Sequence, residues 1–356
     1  MGLYYLLWIL SMIIMSLPCK TNSGYRAQLI SCMALLFCFG AFRLDFGLDY
    51  KTYEAIFDGI SKDGGFVYDP NERNEIGYMF LNYICPSFRF LLVITSLLVC
   101  IAYYSLFDRY IPRKYRLLGI FLLYLCGNNT VFFMFSGIRN SIAISILILA
   151  LPLIFERKLL QFAIWTAIAW SVHTSALIVF PVAYAMGSIN KITKKTAIIM
   201  IGVALLLFII PFDSLLGVSA NFISSYFDRY STYIDNVSDI GVGASLLVSL
   251  PNIIFITAIV LTFMKTKSLT HILGIVLVGI LVFYFPLLGP LDMRMSIYVS
   301  AIGIASIILT YSHIKDQILR NSLMSLFIIY KGYAFFMVFL NNPYFTYSQI
   351  HNLLFE

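Results

Sequence analysis

Phe42-Arg43-Leu44-Asp45-Phe46-Gly47-Leu48-Asp49-Tyr50-Lys51-Thr52-Tyr53 opens a burst of charge at the mouth of a hydrophobic run. From Arg43 to Glu75 the chain carries eight acidic and four basic residues, so 12 of its 41 charged residues fall in 33 positions. On either side the sequence returns to apolar runs that lipid can accommodate. This alternation of apolar runs with charged junctions decides the fold class.

Composition points the same way. The chain is 60% hydrophobic and 12% charged, with a mean hydropathy of +0.89. Soluble domains run roughly 45–50% apolar and 25% charged. The sequence therefore predicts an all-α polytopic integral membrane protein, with spans of about 20 residues set by bilayer thickness and helical rise. About twelve spans are expected, near residues 3–17, 28–42, 90–107, 117–134, 141–155, 159–172, 174–189, 196–211, 244–263, 269–287, 295–311 and 322–340. They make one transmembrane domain over residues 1–356, with two longer outward-facing loops at 43–76 and 212–243. The first span follows Met1-Gly2 without a basic region, and Ser16-Leu17-Pro18-Cys19 is a poor cleavage site, so it is expected to be retained. The cysteines at 19, 32, 38, 85, 100 and 126 have no Cys-x-x-Cys spacing and mostly lie in or beside apolar runs. They read as dispensable buried thiols rather than metal ligands or disulfides.

The connections sort by charge. Lys20 and Arg26; Arg109, Arg113, Lys114 and Arg116; Arg157 and Lys158; Lys191, Lys194 and Lys195; Lys265 and Lys267; and Lys315 and Arg320 make 15 of the 24 basic residues. Only Asp108, Glu156 and Asp316 accompany them. The positive-inside rule puts these junctions in the cytoplasm and both termini outside. The net charge of +7 is then mostly an orientation signal and excludes nucleic acid as a partner.

A few polar residues stand where the orientation rule does not explain them. Arg139, in Gly137-Ile138-Arg139-Asn140-Ser141, lies at the junction of two apolar spans, where a bare guanidinium costs a few kcal/mol on insertion scales. It requires an anionic partner, either an outward acid that fixes helix packing or a bound phosphate. His173, in Val172-His173-Thr174-Ser175, sits at the outward end of the next hairpin, either as an interhelical hydrogen-bonding residue or as a base. Arg294 follows Asp292 at another outward junction, so that acid is a local alternative partner. Arg229 lies in the Tyr-rich stretch Tyr226-Phe227-Asp228-Arg229-Tyr230. Arginines gathered near Arg43 and Asp49 would match a diphosphate in bidentate fashion. Asp45 and Asp49 as a pair could instead hold a divalent cation, although no third ligand is evident. Many of the 58 aromatic residues suit interfacial belts, and outward ones can stack on sugar rings.

These spaced elements resemble the EpsG-like and Wzy-type polysaccharide polymerases. Arg43 with Gly47-Leu48-Asp49-Tyr50 and Tyr53 is similar to that family's Arg…Gly-x-Asp-Tyr…Tyr segment after an early span. Glu75-Ile76-Gly77-Tyr78 is similar to its Glu-x-Gly-Tyr/Phe element. Arg139-Asn140-Ser141-Ile142-Ala143 resembles an Arg-Gln-x-x-Ala helix start, with Asn140 in place of Gln and therefore of shorter reach. His173-Thr174-Ser175-Ala176 resembles its His-x-Ser-Ala element. The resemblance covers roughly residues 40–185.

The resemblance implies a membrane glycosyltransferase of the bacterial cytoplasmic (inner) membrane, with its site facing the periplasm or exterior. It would polymerise undecaprenyl-diphosphate-linked oligosaccharide repeat units into O-antigen, capsule or exopolysaccharide. Donor and acceptor would both be lipid-linked, a chain-length regulator is a possible partner, and neither metal nor cofactor is needed. Under this reading His173, Asp49 and Arg139 are catalytic. Arg43, Asp45, Tyr50, Tyr53, Glu75, Asn140, Arg229 and Arg294 bind substrate. Two rivals remain. One is a lipid-linked oligosaccharide flippase, which would carry its cations along a central cavity. The other is a different polyprenyl-phosphate-dependent membrane sugar transferase that works through Asp45 and Asp49.

Overall fold

The computed structural model describes residues 2–47, 49–62, 66, 75–126, 131–187, 290–341 and 351–352. Its contacts divide the chain into two compact units. The first comprises residues 1–177, 307–309 and 328–356, and the second residues 178–306 and 310–327. The expected spans at 196–211, 244–263 and 269–287, and the loop at 212–243, lie outside the described residues.

The first unit opens with α1 (Gly2–Ser16) and α2 (Asn22–Ala41), followed by a two-residue strand, β1 (Arg43–Leu44). Thr21 caps α2, its hydroxyl accepting from the Gly24 amide at 3.1 Å. Next come α3 (Tyr50–Lys62), α4 (Ile76–Ile84) and α5 (Phe88–Tyr110). Ser87 caps α5 in the same way through Phe90 N at 3.1 Å. A 3-10 turn at Arg113–Tyr115 leads into α6 (Arg116–Leu125), α7 (Val131–Ser136), α8 (Ile138–Phe155) and α9 (Leu159–Val172). Beyond these lie α10 (Ala176–Gly187), α11 (Pro290–His313), α12 (Gln317–Asn341) and β2 (His351–Asn352).

Among the described residues, α2, α5 and α8 are long and apolar enough to cross a membrane. Shorter apolar helices cover Leu3–Ser16, Leu159–Val172 and Ala301–His313. The outer face of α5 shows what surrounds it. Ile94, Leu97 and Ile101, at helical spacing, are 38%, 47% and 47% exposed, and Leu160 and Ile164 on α9 are similarly bare. Water penalises such contiguous apolar faces, whereas hydrocarbon does not.

Inside the unit, α5 packs between α2 and α8, and α8 in turn packs on α9. α1 lies on α2 and α6, where the Tyr4 hydroxyl donates to the Tyr124 carbonyl at 2.6 Å and Ser11 meets the Tyr124 hydroxyl at 2.9 Å. In lipid, where apolar contact gives helices no preference for each other over the tails, such interhelical hydrogen bonds and close packing hold the bundle. β1 pairs antiparallel with β2, Arg43 opposite Asn352 and Leu44 opposite His351. Within the second unit, Tyr311 at the end of α11 donates to Asn321 Oδ1 at 3.1 Å, and Arg320 lies over the Tyr311 ring at 5.1 Å.

Two local differences from the sequence reading matter. The stretch 43–76, expected as loop, contains α3, because Tyr50, Tyr53 and Phe57 recur at helical spacing and bury while Lys51 and Asp58 stay exposed. The span expected at 117–134 is broken, since α6 stops at Leu125, capped by Cys126, ahead of Gly127-Asn128-Asn129. These are residue types that favour turns over helix.

Candidate active site

Four elements deliver the site: the start of α4, the start of α8, the end of α9 and the first turns of α3. Glu75 is the residue from which α4 springs, with extended backbone (φ −73°, ψ 137°), and its side chain does not cap its own helix. Instead it reaches sideways. Glu75 Oε2 accepts from Arg139 Nη1 at 2.6 Å, and Oε1 accepts from the Thr174 hydroxyl at 3.0 Å and the Thr174 amide at 3.4 Å. His173 Nδ1 stands 3.6 Å from the same Oε1, within ion-pair reach once the ring is protonated. His173 ends α9, its amide donating to the Ala169 carbonyl at 2.9 Å.

Two glycines make this convergence possible. A Cβ on Gly77 would fall 2.8 Å from both the carbonyl carbon and the carbonyl oxygen of Ser171, so only glycine lets α4 lie so close to the end of α9. Gly47 has φ +98°, a conformation side chains disfavour, and a Cβ there would sit 2.9 Å from the Ser136 Cα. The first closes Glu75 onto His173 and Thr174. The second seats the turn before α3 against the residue that ends α7.

Aromatic rings flank the guanidinium. The Tyr53 and Tyr78 centroids lie 5.6 Å and 5.7 Å from Arg139 Cζ, a cation–π arrangement. Arg139 Nε is buried with no hydrogen-bond acceptor among the described residues. Burial alone raises the Glu75 carboxyl, but the adjoining His173 imidazole and Arg139 guanidinium outweigh it and hold the group well below the usual carboxylate range. Glu75 is therefore an anion that fixes a cation and an imidazole, and is poorly suited to give up or take a proton near neutral pH.

An apolar groove of about 290 Å³ begins beside this cluster. Gly77, Val172 and Ile142, close in sequence to Glu75, His173 and Arg139, form its near end, and it runs on past Leu81, Ile94 and Ile168 between α4, α5, α8 and α9.

The remaining sequence-chosen residues take other places. Arg43 is 2% exposed, donates from Nη1 to the Gly40 carbonyl and, at 3.2 Å, to Ser96, and lies 5.7 Å from the Phe135 centroid. Tyr50 buries edge-on against Phe88 at 5.3 Å. Asp45 is exposed, with φ 45° and Lys51 Nζ at 3.7 Å. Asp49 is exposed at the start of α3, its carbonyl accepting from the Tyr53 amide at 2.9 Å. Asn140 is 4% exposed, and neither amide atom meets a partner among the described residues. Arg294 falls in the opening turns of α11, but its side chain, like the whole of Arg229, lies outside the described residues. No group of three or more His, Cys, Asp or Glu among the described residues is placed to hold a metal ion.

Sequence reasoning gave no role to three residues, two of them inside the quoted motifs. Thr174 follows a candidate histidine at a helix end, where hydroxyls commonly find a nearby acceptor. Tyr78 lies one helical turn beyond Glu75. Arg89 Nη1 donates to the carbonyls of Arg43 at 2.6 Å and Ala41 at 3.3 Å, and so pins the exit of α2 to the first turn of α5. Its only signal was its position at the head of an apolar run.

A membrane-length apolar helix that begins with a guanidinium, held by a carboxylate at the start of one shorter helix and beside an imidazole at the end of another, marks a helical membrane protein with a polar cluster at its helix ends. The EpsG family model matches residues 26–352, and the chain belongs to that family, a family of Wzy-like polysaccharide polymerases. No curated protein and no solved structure gives a significant match.

Proposed function

We propose that this chain is a membrane glycosyltransferase that polymerises undecaprenyl-diphosphate-linked oligosaccharide repeat units on the outer face of the bacterial cytoplasmic membrane. The observation that carries the reading is Arg139, fixed by Glu75 between two tyrosine rings, with His173 on the same carboxylate and an apolar groove opening alongside. A lipid-linked diphosphate has the matching chemistry of an anionic head followed by a hydrocarbon chain.

In this scheme a hydroxyl of the acceptor sugar attacks the anomeric carbon of the donor. The new C–O bond forms as the bond from that carbon to the lipid diphosphate breaks. Negative charge grows on the departing diphosphate, and a fixed guanidinium stabilises it more in the transition state than before. The hydroxyl proton passes to His173, whose orientation Glu75 holds, or to Asp49 at the start of α3. Tyr53 and Tyr78 keep the guanidinium plane in place, and the groove takes the first units of the lipid chain.

The test is a gel of surface polysaccharide from a strain lacking the gene, complemented with wild type, Arg139→Ala or His173→Ala at matched expression. The reading requires that deletion collapse a ladder to a single repeat unit and that both variants do the same. Loss of every repeat would instead indicate transport or an earlier assembly step. Full ladders from both variants would remove these residues from the chemistry.

A further inference from the structure

We propose that the chain carries a second anion site, specific for a phosphate group, in an arginine-lined recess at the far end of α8 from Arg139. The recess has a volume of about 300 Å³ and lies between the start of α2, the end of α5 and the start of α6. Arg26, Arg109, Arg113 and Arg116 line it with Asn22 and a single carboxylate, Asp108.

Its position follows from one ring contact. Tyr110, which lines the recess and ends α5, packs edge-on at 5.8 Å against Phe155, the last residue of α8. Arg139 is the second residue of that 18-residue helix, so the two sites stand roughly 24 Å apart along it. With the reach of the side chains at either end, that is comparable to a hydrocarbon core of about 30 Å. The recess therefore lies at the opposite membrane boundary from the Glu75 cluster and is independent of the reading given to that cluster.

The chemistry exceeds what an orientation signal requires. Topology is served by exposed lysines and arginines, which need no pocket. Arg116, by contrast, is 3% exposed. Its Nη2 donates to Asp108 Oδ1 at 2.8 Å, while its Nε and Nη1 are buried and have no acceptor among the described residues. Buried N–H groups without acceptors are costly. Asp108 is already shared, since Arg26 Nη2 holds its Oδ2 at 3.1 Å. Two guanidiniums thus share one carboxylate while Arg109 and Arg113 line the same recess, a net of three positive charges around the cavity. A tetrahedral oxyanion supplies several acceptors at once in the geometry a guanidinium edge matches, and charge to balance the remainder. At a membrane boundary that phosphate comes either from an anionic lipid headgroup or from a free phosphate in solution.

The experiment is thermal unfolding of the purified full chain in neutral detergent, titrated with dihexanoyl phosphatidylglycerol, with inorganic phosphate, and with sodium chloride at matched ionic strength. A saturable rise in Tm with the lipid but not with phosphate assigns the site to a headgroup. An equal rise with both assigns it to the phosphate alone. Arg116→Gln risks unfolding the helix ends, so the decisive variant is Arg109→Gln with Arg113→Gln, both exposed at the rim. It should weaken binding about tenfold and leave the unliganded Tm near wild type. No rise beyond the chloride control, or the same titration in the double variant, overturns the proposal.

Discussion

Arg139 Nη1 lies 2.6 Å from Glu75 Oε2, although the two residues are 64 positions apart in sequence. The pair joins the start of α8 to the start of α4, and α4 to α9 through Thr174. It is the polar joint on which three helices meet.

Breaking that joint from either side should cost more than removing it whole. Both side chains are largely buried, so Glu75→Ala leaves a guanidinium without its anion, a loss on the order of 3 kcal/mol. Arg139→Ala strands the carboxylate in the same way. The double variant should lose less than the sum of the two, and a double-mutant cycle on thermal unfolding measures the coupling. Additive losses would mean that the pair does not hold the helices.

Glu75 also sets a pH signature. Its folded-state pKa lies below its ordinary value of 4.5, so its contribution is fully present above that value and fades as pH falls toward the folded value. The stability gap between wild type and Glu75→Gln should stay constant from pH 8 to about pH 5 and shrink below about pH 4. Unfolding midpoints across that range check it. A gap that stayed constant down to about pH 2 would mean that the carboxylate is not held in this way.

Gly77→Ala should damage the site without touching a charged group. The added methyl meets the Ser171 backbone, and overpacking of this kind costs about 1–3 kcal/mol. Because the Ser171 carbonyl as well as its side chain is in the way, Ser171→Gly should fail to restore either stability or polymer length. Rescue by that second change would show that only the hydroxyl obstructs.

Filling the groove tests the lipid end of the proposal. Ile168 lines it and is 45% exposed, so Ile168→Trp should fold normally. With purified lipid-linked units the variant should raise KM about tenfold and change kcat little. Unchanged KM would place the hydrocarbon chain elsewhere.

The apolar periodicity made the described spans readable, and α9 begins and ends where hydropathy put it. Glu75, Tyr53, Arg139 and His173, chosen from short motifs, converge as one cluster. Arg43, chosen on the same grounds, has a buried hydrogen-bonding set of its own. Charge density cannot distinguish a guanidinium that faces a cleft from one that ties Gly40 to Ser96. Nor could hydropathy find α3, whose three buried aromatics are diluted by charged neighbours, or the role of Gly77. A missing Cβ matters only once the opposing backbone is known.

The ladder between β1 and β2 makes the chain a closed circuit: Asn352 lies opposite Arg43, 309 positions earlier in sequence. Residues 351–352 thus buttress the short strand that leads into α3. A tag fused there, or a short deletion, can pass in a genetic screen for a lesion in the amino-terminal third.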